Sequence, residues 1–177
     1  YTYDNSKEKV INMTYPSGFG ITHDYDSYGY IKNIKRTDNS ALIWECQGVN
    51  KRGQVTSAKL GNNLITTRTY DAYGFPQIIQ TGSIQNMEFS FDIKTGNLNW
   101  RKDKLTWRNF TEAFTYDNLD RLTNCNIGEF DYGVGYSSNG NITTKHDAGN
   151  YQYGTSKPHA RLYIGNYEEE TATGQAS

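Results

Sequence analysis

Apolar positions along this chain alternate rather than gather into helical stripes. In Met87-Glu88-Phe89-Ser90-Phe91 every second residue is apolar, which puts Met87, Phe89 and Phe91 on one face of an extended segment. Tyr30-Ile31-Lys32-Asn33-Ile34-Lys35-Arg36 alternates less cleanly, and Phe110, Ala113, Phe114 and Tyr116 approach their turn irregularly. No window holds a 3.6-residue period with capping residues at its ends. The pattern predicts short, half-buried strands and no helix of consequence.

The strands are punctuated by a repeat. Tyr25-Asp26-Ser27-Tyr28-Gly29-Tyr30-Ile31 returns as Tyr70-Asp71-Ala72-Tyr73-Gly74-Phe75-Pro76. Weaker copies run from Val49-Asn50 to Gly53 and from Tyr136-Ser137 to Gly140. Phe91-Asp92 carries one extra residue before Gly96, and Tyr116-Asp117 has Asp120 where the others have Gly. Tyr3-Asp4 begins a more divergent first copy, so copies start every 20 to 25 residues. A second turn signal falls midway in each interval, as in Pro16-Ser17-Gly18, Gly61-Asn62-Asn63 and Asp147-Ala148-Gly149.

Each unit therefore holds two strands and two turns. Asp or Asn closes the first turn by bonding its side chain to the backbone two residues on. Gly supplies positive φ without steric cost. The aromatic before Asp ends the incoming strand and packs over the turn, and the aliphatic two residues after Gly starts the outgoing strand on the buried face. The turn residues assigned a structural role are Tyr25, Asp26, Gly29, Asn50, Gly53, Tyr70, Asp71, Gly74, Phe91, Asp92, Gly96, Tyr116, Asp117, Tyr136 and Gly140. A single hairpin cannot bury its apolar face, so successive hairpins must lie side by side. The expected fold is all-β: an array of antiparallel hairpins in one continuous, twisted or curved sheet. Its terminal strand edges are sites for edge-to-edge self-association.

Composition agrees with half-buried strands. Hydrophobic residues are only 35% of the 177, yet aromatics reach 14% and Tyr alone contributes 15. That aromatic content excludes a disordered chain, and no apolar run approaches the ~20 residues of a membrane-spanning helix. The net charge of -1 gives no basic excess for nucleic acid. Glu168-Glu169-Glu170 reads as a solvated segment, and Cys46 and Cys125 read as ordinary reduced residues outside any metal or redox motif. The chain opens on Tyr1-Thr2-Tyr3-Asp4, already strand-like and without Met, as a piece of a longer protein would.

The Tyr-Asp-x-x-Gly-x-Ile/Leu unit at this spacing resembles the YD-repeat, or RHS (rearrangement hotspot), family over about residues 3 to 153. Lys157-Pro158-His159-Ala160 is similar to an element common in bacterial members. The resemblance divides the chain into a repeat array at 1–153, of about seven units, and a stretch at 154–177 holding that element and the start of a truncated unit. It implies a large secreted or cell-surface parent whose hairpin strip forms a hollow shell around a polypeptide or toxin cargo. The partners are then neighbouring repeats and the cargo domain. The family's autoproteolytic segment has no match in this chain.

No other chemistry gathers in the sequence. His23-Asp24 and His146-Asp147 are adjacent pairs, whose side chains point to opposite faces of a strand. The turn aspartates suit hydrogen bonding better than calcium, because Asn50 and Ser137 keep the turn without the charge. No metal, cofactor or membrane insertion is expected. No catalytic constellation can be assembled, so the chain reads as a non-enzyme. Trp44, Trp100 and Trp107, with a share of the tyrosines, are candidate aromatic contacts for a carbohydrate or cell-surface ligand, the alternative to a scaffold.

Overall fold

The computed structural model describes residues 1–4 and 9–165. Glu168-Glu169-Glu170 and the Asn166-Tyr167-Glu168 stretch of the truncated unit lie outside the described residues. Among the described residues there is no helix, and the chain is a succession of antiparallel strands ordered in the sheet as in the sequence. The strands are β1 (Thr2–Tyr3), β2 (Val10–Thr14), β3 (Gly20–Tyr25), β4 (Ile31–Arg36), β5 (Leu42–Val49), β6 (Val55–Leu60), β7 (Ile65–Tyr70) and β8 (Pro76–Thr81). They continue as β9 (Gln85–Phe91), β10 (Leu98–Asp103), β11 (Phe110–Tyr116), β12 (Leu122–Ile127), β13 (Phe130–Tyr136), β14 (Ile142–Lys145), β15 (Gly149–Tyr153) and β16 (Arg161–Gly165). The all-β hairpin array expected from the sequence is the observed fold.

The chain forms two compact units, one of residues 1–90 and 102–109, the other of 91–101 and 110–177. In the first, register sorts residues by chemistry. His23, Ile34, Trp44 and Leu60 stand opposite one another across β3 to β6, and Cys46, Ala58, Thr66 and Thr81 do so across β5 to β8. Opposed residues of an antiparallel pair share a face, so these rows form an apolar face. Asp24, Asn33, Glu45 and Lys59 line the other. Only Ile21 and Ala58 are buried hydrophobics among the described residues. The buried Thr66 and Thr81 satisfy each other through a 2.8 Å hydroxyl–hydroxyl bond.

In the second unit Phe114, Cys125 and Tyr132 share one face, with Glu112, Ile127 and Phe130 beside them. Here the irregular apolar spacing of β11 finds its reason. Ala113 faces out, while Glu112 is buried and bonded to both Nε and Nη2 of Arg101. The guanidinium lies 5.7 Å from the Phe114 ring centre. Burial and the nearby Glu112 push the Cys125 thiol upward, so it is a poor nucleophile.

Candidate functional site

The Tyr-Asp turns recur along one edge of each unit. At Asp71 the carboxylate Oδ1 accepts the N–H groups of Tyr73, Gly74 and Phe75 at 2.8, 2.8 and 2.9 Å. Asp26 accepts from Tyr28 and Tyr30, Asp92 from Lys94 and Thr95, and Asp117 from Leu119 and Arg121. Asn50 does the same through its amide oxygen, toward Arg52 and Gln54. Gly29, Gly53, Gly74, Gly96 and Gly140 all have positive φ, and Asp120 takes the same conformation at φ 57 despite its Cβ. The Thr95 and Lys94 amides hold the Asp92 carboxyl below its ordinary range, and the Arg121 guanidinium does so for Asp117.

A second feature joins four of these turns to the one before. Within a Tyr-Asp hairpin the ladder reaches the turn, as from Thr66↔Thr81 to Tyr70↔Pro76, with a register shift at the aromatic. Between hairpins the ladder stops short. β6 and β7 pair from Lys59↔Ile65 only to Ser57↔Thr67, and β2 and β3 from Thr14↔Gly20 only to Asn12↔Thr22. The tyrosine hydroxyl crosses that gap. Tyr25 donates to the Val10 carbonyl at 2.8 Å, Tyr70 to Val55 at 2.9 Å, Tyr116 to Leu98 at 3.0 Å and Tyr136 to Leu122 at 2.9 Å. Every acceptor is the first residue of a strand leaving the preceding turn, or in β2 the equivalent Val10. Sequence reasoning placed the aromatic over its own turn and missed this bond. Its signal was the choice of Tyr over Phe in most copies.

Polar side chains add further links at the same edge. Gln54 donates to the Gly74 carbonyl at 2.9 Å, Asn97 to the Asp120 carboxylate at 2.7 Å, and Lys9 to the Gly29 carbonyl. Residues 154–160 form the turn between β15 and β16, where His159 Nδ1 hydrogen-bonds to Asn141 Oδ1 at 2.8 Å.

The copy with Val49 differs. Valine carries neither ring nor hydroxyl, and β4 and β5 pair only from Lys35↔Leu42 to Asn33↔Glu45. A cleft of about 670 Å³ opens there, lined by Tyr30, Ile31, Trp44, Cys46, Val49 and Val55 among others. Ile31 is consequently 38% exposed, against the expectation that the aliphatic after Gly is buried, because no aromatic ring covers it.

Trp44 is half-buried on β5, and Trp100 is half-buried on β10. Trp107 lies in the 104–109 loop, 67% exposed, with the Arg108 guanidinium 4.3 Å from its ring centre. Cys46 and Cys125 are free thiols.

No family model matches the chain, and no curated protein does. Solved structures do. TcdB2-TccC3-Cdc42 aligns over 89% of this chain with TM-score 0.70 and 18% identity, and TcdB2-TccC3 without its hypervariable C-terminal region over 89% with 0.69 and 18%. The Photorhabdus luminescens Tc holotoxin pore aligns over 84% with 0.66 and 19% identity. The chain spans only 9 to 10% of those chains. At such identities the likeness is one of fold. The fold of this chain is that of a segment of these structures.

Proposed function

We propose that the chain is a wall segment of a β-shell that encloses a polypeptide cargo, in a parent that acts outside the cell that makes it. The supporting observation is the set of tyrosine bonds, which ties four of the hairpins to their predecessors in a fold shared with the Tc holotoxin structure. The apolar face of the first unit keeps Ile34, Trp44 and Leu60 only half-buried and suits contact with another polypeptide. The role is mechanical and topological, without a catalytic step. Electron microscopy and protease digestion of the parent polypeptide test it together. Shell-shaped particles that protect an internal segment, with faster digestion when Tyr70 and Tyr116 are both changed to Phe, are the expected result. Extended particles, or digestion equal in both proteins, would overturn it.

A carbohydrate-binding reading is favoured by exposed aromatic rings, Trp107, Tyr28 and Tyr73 among them. Submillimolar glycan-array hits lost in Trp107→Ala would replace the shell reading for this segment.

A further inference from the structure

The repeats supply their own template for what belongs in the cleft at Val49. In four copies a phenol occupies the seam between hairpins and donates to the carbonyl of the first residue leaving the preceding turn. The residue in that place for the Val49 copy is Ile31, two after Gly29, as Val55 is two after Gly53. The Phe91 copy keeps the ring; Val49 keeps neither ring nor hydroxyl. The seam is open there: Tyr30 is 67% exposed, Val49 57% and Ile31 38%. Trp44 provides an aromatic wall and Lys32 a polar rim.

We propose that this cleft binds a tyrosine side chain of a polypeptide ligand, its hydroxyl donating to the Ile31 carbonyl. A phenol restores the contact that the other copies make within the chain, and the apolar walls cover its ring. At about 670 Å³ the cavity lies within the ~300–1,000 Å³ of ligand pockets and exceeds one ring several-fold. The remaining space lies beside Gln47 and Gly48 and accommodates the flanking backbone of a peptide. The inference stands whether or not the chain walls a shell.

Titration of the isotope-labelled 177-residue chain with acetyl-Gly-Tyr-Gly-amide, its Phe counterpart and p-cresol, followed by amide NMR, tests it. The Tyr peptide is expected to shift Ile31, Lys32 and Val49 together with the Trp44 indole signal. It should bind about fivefold tighter than the Phe peptide, the worth of one hydrogen bond, and tighter than p-cresol. Val49→Tyr, and Val49→Phe as a second variant, fill the seam and should abolish the shifts while the spectrum stays dispersed. Equal affinity for the Tyr and Phe peptides would overturn the proposal. So would shifts elsewhere, or unchanged binding in whichever variant folds. Equal affinity for p-cresol would overturn the polypeptide and leave a small phenol.

Discussion

The two edges of turns solve one problem in different ways. At the edge opposite the Tyr-Asp turns, the ladder between hairpins runs right up to the turn, at Thr14↔Gly20, Lys59↔Ile65 and Ile127↔Phe130. The turns there are correspondingly varied. One uses Pro16-Ser17-Gly18, another has Ser40 at φ 57, and others have Asn63 at φ 67 and Asn109 at φ 37. At the Tyr-Asp edge the ladder between hairpins lapses, and the same few side chains recur. Where backbone pairing persists, many turns suffice. Where it stops, a tyrosine hydroxyl carries the link in four copies, and at Val49 the seam stands open.

That contrast is sharpest for the turn carboxylate. Asp71→Ala removes three N–H acceptor contacts and is expected to cost about 2 kcal/mol in urea unfolding. Asn39→Ala, which frees only the Ala41 amide, is expected to cost about 0.5 kcal/mol. Equal losses would erase the distinction between the edges. Next in size, Tyr70→Phe should cost about 1 kcal/mol by deleting the hydroxyl bond to Val55. Tyr28→Phe, at a ring 86% exposed, should change stability by under about 0.5 kcal/mol.

Acid and salt together separate carboxylates held by amides from those held by cations. Asp92 and Asp117, and at the opposite edge Asp38 and Asp147, all titrate below their ordinary range when folded. The unfolded chain therefore takes up protons first, so stability present above about pH 4 drains away as pH falls through the folded-state values. Asp92 is held chiefly by backbone amides, whereas Asp117 depends on Arg121, Asp38 on Arg36 and Asp147 on Lys145. Molar salt should abolish the contributions of Asp38 and Asp147, read as the effect of each Asp→Asn change on melting temperature, and spare that of Asp92. The smallest effects concern strain. Ser40→Gly should gain about 0.5 kcal/mol by relieving a positive φ. Asp120→Asn should be neutral within about 0.3 kcal/mol, since Asn tolerates that conformation and keeps an acceptor for Asn97.

Much of the fold was legible because its signals are local. Asp or Asn followed by Gly closes a turn through atoms a few residues apart, so spacing alone locates the hairpins. Alternation then assigns faces, as for Met87, Phe89 and Phe91 on β9, where Met87 stands opposite Ile79. The tyrosine bonds were not legible. Their acceptors are backbone carbonyls, which leave no mark in the sequence, and the lapse in the ladder that calls for them arises only once hairpins are packed. Glu112 failed for a related reason. Hydropathy assigns a carboxylate to solvent, yet Arg101 on the neighbouring strand makes its burial acceptable. Ile31 turned outward because the copy that should cover it carries Val49, a substitution visible in the sequence whose consequence needed three dimensions.

The tyrosine bonds also have a direction in time. Each hydroxyl reaches back 14 to 18 residues to a carbonyl that was synthesised earlier. At ribosomal rates of about 5–20 residues per second, donor follows acceptor by about one to a few seconds. A new hairpin thus closes against a neighbour already in place and waits for nothing downstream. The array can be laid down like courses of brick, in the order in which the ribosome delivers it.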